Sequence, residues 1–263
     1  MTAVPSPVPI EVLESTPSTM DEARERVISG RARFTESTIA CACVMAREQT
    51  AGRGQRGRIW FAARDESLCA TYMLRCPGVT HPTAAGSLAI LAGVAAADVL
   101  AHLKVPSAVG LKWPNDILLN GRKAGGILVE LMRSPQGIWI ALVGVGLNVS
   151  VSEFPPHLAA SATSLLIEGA DPAGLLDLEA LARDIGVSLS AWAWRCRTGP
   201  KTAIQSWRRF DATTGRRYET EWNGAPATGT ARGIDDVGAL LLRLADGTSI
   251  AVTSATSLRE IQG

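Results

Sequence analysis

The chain predicts an α+β fold followed by a small all-β tail, and three observations carry that reading. Hydrophobic periodicity switches repeatedly between helical and alternating patterns up to about residue 213. Residues 81–104 form one long, Ala-rich apolar stretch of helical character. From Gly215 onward, short alternating runs are separated by turn signals. With 263 residues, 46% of them hydrophobic, the chain can build one sizeable domain and a small one. The boundary is placed between residues 1–213 and residues 214–263.

The elements follow in order. "STMDEARERVISG", Ser18 to Gly30, starts with a Ser-Thr pair able to cap a helix, carries acids in its first turn and closes on glycine. "STIACACVMA", Ser37 to Ala46, alternates and runs on as an apolar strand, and "SLCATYMLR", Ser67 to Arg75, reads as another. After the long helix, "AVGLKWPNDILLNGRKAGGILVELM" shows apolar strands joined through turns at Pro114-Asn115 and Asn120-Gly121, the second a strong hairpin signal. "GIWIALVGVGLNVS" supplies the next strand. Two helices are expected at about Asp177 to Arg197 and Pro200 to Ala212, with Trp192, Ile204 and Trp207 facing the core. In the tail, turns at Asn223-Gly224, Asp236 to Gly238 and Asp246-Gly247 fit a barrel of about five strands.

Composition narrows the function classes. A formal net charge of +1 gives no global field for nucleic acid or acidic partners, so electrostatic function must come from local clusters. Five cysteines without C-x-x-C spacing and three scattered histidines spell neither a zinc site nor a disulfide framework; small buried apolar residues are the expected role of the thiols. Pro5, Pro7 and Pro9 mark an extended leader without an apolar core, and the most apolar segment carries Asp98 and His102. A cytoplasmic enzyme with no membrane partner is the expectation.

The stretch "AGRGQRGRIW", Ala51 to Trp60, matches the dinucleotide pattern G-x-G-x-x-G through Gly52, Gly54 and Gly57. A dinucleotide loop should enter a helix and meet an acid about twenty residues on, whereas a strand follows here and no acid stands near Tyr72. A P-loop requires Lys and then Ser or Thr after the last glycine, where Arg58 and Ile59 stand. What remains is a flexible backbone with free N–H groups, carrying Arg53, Arg56 and Arg58, whose forked guanidinium groups suit carboxylate and phosphate. A second constellation, "KWPNDILLNGRKAGG", presents Lys112 at a strand end and Lys123 across a hairpin, near an Asn-Asp pair. Two lysines so placed could bring phosphates and a carboxylate to one point; Trp113 reads as a core or pocket wall.

At these residues the sequence resembles the biotin protein ligases. The resemblance runs from "STMDEAR" through "EQTAGRGQRGRIW", "KWPNDILLNGRKAGGILVE" and "GVGLNV" to "ARGIDDVGALLL", five motifs in the family's order. It implies a catalytic domain related to class II aminoacyl-tRNA synthetases, a mixed sheet flanked by helices, then an SH3-like barrel. It also implies two half-reactions: biotin and ATP, with Mg²⁺, form biotinyl-5′-AMP, and the biotinyl group passes to a lysine of a biotin carboxyl carrier domain.

Carried over by position, the resemblance makes Ser18, Thr19, Met20 and Gln49 part of the biotin site, together with Gly52, Arg53, Gly54, Gln55, Lys123 and Gly126. Lys123 becomes the central catalytic bridge, with Arg53 closing over the adenylate. Arg56, Arg58 and Trp60 fall on the nucleotide side, as do Lys112, Asn115, Asp116 and Asn148, polar groups near phosphate, metal or ribose. Arg232 resembles an arginine reaching from the barrel towards ATP. Asn148 could instead be a strand-end turn residue, and Ser18-Thr19 the helix cap already described. Metal ligands are not legible. The family often has Asn at the position of Met20 and Arg at that of Gln55.

The Ser-Thr pair arrives at residue 18, leaving no room for the helix-turn-helix domain of family members that bind DNA, so a monofunctional ligase without DNA as partner is expected. An exposed edge strand could pair two subunits into a homodimer. Two alternatives stand beside this reading: a lipoate–protein ligase with the same adenylation chemistry, and a catalytically silent biotin-binding protein.

Overall fold

The structure is a computed structural model, and it describes residues 8–32, 34, 41–75, 79, 84–103, 105–171, 177–253 and 258–261. Residues 1–7 of the expected Pro-rich leader, Ser37–Ala40, Cys76 and the first residues of the long helix lie outside them.

Seven strands form a mixed sheet in the order β1-β2-β3-β7-β6-β5-β4. They are β1 (Ile10–Leu13), β2 (Cys41–Ala46), β3 (Ser67–Arg75), β4 (Val109–Lys112), β5 (Asp116–Leu119), β6 (Arg122–Arg133) and β7 (Trp139–Asn148). Among the described strands only β1 and β2 pair in parallel; β3 and β6 both flank β7 antiparallel over its length. Strand β3, held between β2 and β7, is buried from Ser67 to Leu74, which is why its sequence is a near-continuous apolar run. The β5–β6 turn takes positive φ at Asn120 and Gly121, 47° and 79°, as an Asn-Gly hairpin requires.

Helix α1 (Thr19–Ile28) packs Met20, Ala23 and Val27 on one face of the sheet against Val44, Met73, Ile140 and Leu142. Helices α2 (Ala85–His102), α4 (Leu178–Arg195) and α5 (Lys201–Trp207) join the larger core, with a short α3 (Pro156–Ala159) between strand and helices. By length and composition α2 could cross a membrane, yet most of it is buried against the sheet and its neighbours. Trp192, Ile204 and Trp207 are buried, as their spacing predicted.

Two expectations change. The Ser18 side chain makes no cap hydrogen bond; its backbone carbonyl accepts from Asp21 N and Glu22 N instead, and the Thr19 side chain is turned toward other partners described below. The last helix stops at Trp207 rather than Ala212: Leu111 donates to Phe210 O at 2.6 Å and accepts from Ala212 N at 2.9 Å, so β4 draws that segment out of the helix.

The tail folds as a five-stranded antiparallel, SH3-like sheet ordered β11-β10-β9-β8-β12. Its strands are β8 (Arg217–Trp222), β9 (Ala225–Ile234), β10 (Leu240–Leu244), β11 (Ser249–Val252) and β12 (Arg259–Ile261). Leu240, Leu242, Ala231 and Ile250 continue the main core, and Trp113 ties the two sheets by donating from Nε1 to Gly238 O at 2.9 Å and from its backbone N to Thr213 Oγ1 at 2.7 Å.

Candidate active site

A cavity of about 490 Å³ opens on the sheet face beside the glycine-arginine loop. That volume falls in the range of small-molecule sites. The start of α1, the loop, the ends of β4 to β7 and the last strand β12 converge on it.

One end is lined with hydroxyl and amide groups. Thr19 donates from N and from Oγ1 to Gln49 Oε1 at 2.8 and 3.0 Å, and its Oγ1 lies 2.9 Å from Thr71 Oγ1. Ser18, Thr19 and Thr71 are buried. Buried hydroxyls linked in this way form a fixed polar face. Met20 closes the floor, with Cε 3.0 Å from the place a Cβ would take on Gly144.

The middle of the cavity carries cations, and three of them, Lys123, Lys112 and Arg53, are each paired with a carboxylate. Lys123 Nζ lies 2.5 Å from Asp116 Oδ1, and Lys112 Nζ lies 2.5 Å from Glu260 Oε2. Arg53 makes a two-pronged contact with Asp21 at 2.6 and 2.7 Å, and its guanidinium holds the Asp21 carboxyl below the usual range. Glu260 also accepts from Arg216 at 2.6 Å; burial pushes its carboxyl up, but Lys112 and Arg216 outweigh that and hold it down. Deeper in, Asn148 donates from Nδ2 to Thr163 O at 3.0 Å, while its buried Oδ1 has no partner among the described residues. An unpaired buried acceptor costs stability, so a group that supplies a donor or a cation there is the natural complement.

The third wall is aromatic. The Trp60 ring lies so close over Gly146 that a Cβ there would sit 2.5 Å from ring Cε2, and Lys123 Nζ is 5.9 Å from the ring centroid. Trp60 N donates to Gly52 O at 2.9 Å and Gly54 N donates to Arg58 O at 2.7 Å, which closes the loop as a narrow hairpin. Arg56 sits at its tip with φ 61°, a conformation in which a non-glycine residue is strained.

The structure therefore brings Ser18, Thr19, Met20, Gln49, Arg53, Gly54, Gln55, Arg56, Arg58 and Trp60 to one cavity with Lys112, Asn115, Asp116, Lys123, Gly126 and Asn148. Gly52 stands just behind the wall, in the space between Gln49 and Trp60, where a Cβ would come within 3.0 Å of both. Arg232 is the one residue not brought in. It is exposed on β9 between buried Ala231 and Ile234, so the strand's alternation turns it away from the small sheet's core, and it does not line the cavity. The small domain contributes Tyr218, Leu258, Arg259 and Glu260 instead. Thr71, Gly144 and Gly146 were also missed, since each sits inside an apolar strand and only the register reveals which face it takes.

The arrangement suits an elongated ligand: a polar ring at the hydroxyl end, anionic groups beside the lysines, and a flat system near Trp60. Among the described residues no three His, Cys, Asp or Glu side chains cluster as a metal site. The carboxylates lining the cavity, Asp116 and Glu260, are each paired with a lysine, a donor set that suits a Mg²⁺ only if it arrives on substrate phosphates and keeps most of its waters.

Residues 12–148 match the biotin/lipoate A/B protein ligase family, and residues 220–257 match the biotin protein ligase C terminal domain. The chain is 34% identical over 238 residues to the biotin--[acetyl-CoA-carboxylase] ligase of Mycobacterium tuberculosis, covering 89% of this chain and 82% of that one. It is 33% identical over 204 residues to the enzyme of the same name from Paracoccus denitrificans, covering 77% and 84%. In fold it is similar to a biotin protein ligase from Aquifex aeolicus solved in complex with biotin and ATP, with a TM-score of 0.76, 21% identity, and 96% and 99% of the two chains covered.

Proposed function

The chain belongs to the biotin/lipoate A/B protein ligase family, and from that premise we propose the reaction and the residue roles that its cavity supports. It is an ATP-dependent biotin ligase: it activates biotin as biotinyl-5′-AMP and transfers the biotinyl group to a carboxylase. A lysine of a biotin carboxyl carrier domain is the acceptor in this reading. The enzyme works in the cytoplasm, with neither DNA nor a membrane surface as partner, and the outer strands of the large sheet are where two copies would pair. Residues 1–213 form the catalytic domain and residues 214–263 the SH3-like one.

The carrying observation is the convergence of Lys123, Lys112 and Arg53 with the free Asn148 acceptor between a hydroxyl-lined end and an aromatic wall. Thr19, Ser18 and Gln49 face the polar ring of biotin, and Met20 packs under it. In the first half-reaction a biotin carboxylate oxygen attacks the α-phosphorus of ATP and the bond to pyrophosphate breaks. Two anions must meet, so cations fixed beforehand offset their repulsion as charge builds. Lys123 lies between them, Arg53 and Gln55 cover the mixed anhydride, and Lys112, Asn115, Asp116 and Asn148 hold the nucleotide and Mg²⁺ side. In the second half-reaction the acceptor amine attacks the biotinyl carbonyl, AMP leaves with the bonding pair, and the amine loses a proton.

The test is to incubate the protein with MgATP, biotin and a biotin carboxyl carrier domain, and to weigh the carrier. The expected result is one biotinyl group on one lysine, with pyrophosphate released in the presence of biotin and not of lipoate. Release with lipoate alone would assign the chain to the other branch of the family, and biotin binding without pyrophosphate release would make it a silent binder.

A further inference from the structure

Behind the cavity lies a polar cluster that the reaction as described does not use. Glu168, 8% exposed, accepts from Thr163 Oγ1 at 2.7 Å and Arg122 Nη2 at 2.8 Å on Oε1, and from Ser107 Oγ at 2.8 Å and Asn120 Nδ2 at 2.7 Å on Oε2. Both carboxylate oxygens are thus occupied, and Glu168 itself does not border the cavity. Burial pushes its carboxyl up, but the four donors outweigh that and keep it ionised.

Three of the four donors lead back to the site. Arg122 immediately precedes Lys123, and Asn120 forms the turn before it. Lys123 is clamped by its backbone to the segment that holds Thr163, donating from N to Ser161 O at 2.8 Å and accepting from Thr163 N at 2.9 Å. The carbonyl of that same Thr163 fixes Asn148 Nδ2.

We propose that Glu168 is a positioning residue for adenylation: its carboxylate joins the Asn120–Arg122 turn to Thr163, and so sets the placement of Lys123. The proposal rests on the reading of Lys123 as the bridge between the reacting anions. A carboxylate with four donors is a rigid joint, because removing any one contact leaves a buried charge under-satisfied. Loss of the joint loosens Lys123 without removing it, and small misplacement of a positioned group lowers the rate more than it weakens substrate binding.

The experiment measures biotinyl-AMP formation for Glu168→Gln in the parent and in a Lys123→Ala background. The expected result is a roughly tenfold fall in kcat in the parent with the KM for biotin within about twofold, and less than about twofold further change once Lys123 is gone. Glu168→Ala should lose more than Glu168→Gln, which still accepts one donor on its amide oxygen. An unchanged kcat for Glu168→Gln, or an equal fall in both backgrounds, would overturn the proposal. A Lys123→Ala protein that keeps parental activity would instead overturn the reading of the site. Should the Glu168 variants fail to fold, Thr163→Val removes one contact and leaves the charge; a kcat loss that vanishes in the Lys123→Ala background supports the joint, and a parental kcat refutes it.

Discussion

Replacing Gly146 with alanine tests how the aromatic wall and the loop are coupled. A Cβ on Gly146 would lie 2.5 Å from Trp60 Cε2, 2.7 Å from Cζ2 and 2.9 Å from Nε1. Carbon atoms rest at about 3.5–4.0 Å, so the ring must withdraw by about 1 Å. Overpacking of this size costs about 1–3 kcal/mol, which corresponds to roughly a 5- to 150-fold weakening if the closed loop is what holds the adenylate. The neighbouring Gly126, opposite Gly146 in the β6–β7 ladder, is the control: a Cβ there meets Trp60 and Lys123 at 3.7 Å, an ordinary contact. Because Trp60 N is bonded to Gly52 O, displacing the ring unfastens the loop. Tryptic cleavage after Arg53, Arg56 or Arg58 should therefore rise in empty Gly146→Ala and stay near the parental rate in empty Gly126→Ala. Biotin and ATP should suppress cleavage of the parent and suppress it less in Gly146→Ala. Equal cleavage of all three proteins, together with unchanged release of preformed biotinyl-AMP from Gly146→Ala, would refute the coupling.

Lys123→Ala removes a charge from the developing anion and leaves Asp116 without its partner, so adenylate synthesis should fall about a hundredfold or more in a protein that still folds; pyrophosphate release and circular dichroism check both halves. Gln55→Arg adds a guanidinium at a position lining the cavity and should slow biotinyl-AMP release about fivefold at low salt, with less effect as salt screens the attraction; faster or unchanged release at low salt would place residue 55 away from the phosphate. Glu168 and Glu260 both have carboxyls held below their ordinary value of 4.5, since hydrogen bonds to Thr163, Ser107, Arg122 and Asn120 in one case and to Lys112 and Arg216 in the other outweigh the upward push of burial. A folded-state value below the unfolded one gives stabilisation that is complete above about pH 4.5 and drains away as pH falls through the folded values. The urea midpoint should therefore drop in acid, and Glu168→Gln should flatten part of that drop; parallel curves would argue that Glu168 is not ionised in the folded protein.

Local pattern was enough to locate most of the scaffold. The strand Ser67–Arg75 follows from its apolar run, and the Asn120-Gly121 hairpin follows from φ demands that few other pairs meet. The short β1 escaped because four residues next to a proline-rich stretch carry too little periodicity, and its place is set by parallel pairing with β2, a partner some thirty residues away. The helix end at Trp207 escaped for a related reason: β4 competes for the same backbone groups, and no local signal announces it. In the cavity, the residues of the glycine-arginine loop and of "KWPND" were legible because charge at such density is uncommon in a near-neutral chain. Thr71 and Glu260 were not, since one is a polar residue inside an apolar strand and the other reaches the cavity only through docking of the second sheet. Arg232, which a motif assigns to the nucleotide, stands exposed on β9 and does not line the cavity, a placement that depends on strand register and that no local signal gives.

The pairing of Lys123 with Asp116, Lys112 with Glu260 and Arg53 with Asp21 has a bearing on what the cavity ignores. Each cation arrives with its own counter-anion, so those three pairs present little net field to solution. A passing phosphate or chloride gains little by entering, because it must displace a carboxylate that is tethered and therefore at high effective concentration. An anion prevails only when other parts of the same molecule are held elsewhere in the cavity, at the hydroxyl face or against the indole. At these three cations entry is thus an exchange, one charge handed over for another, rather than a capture.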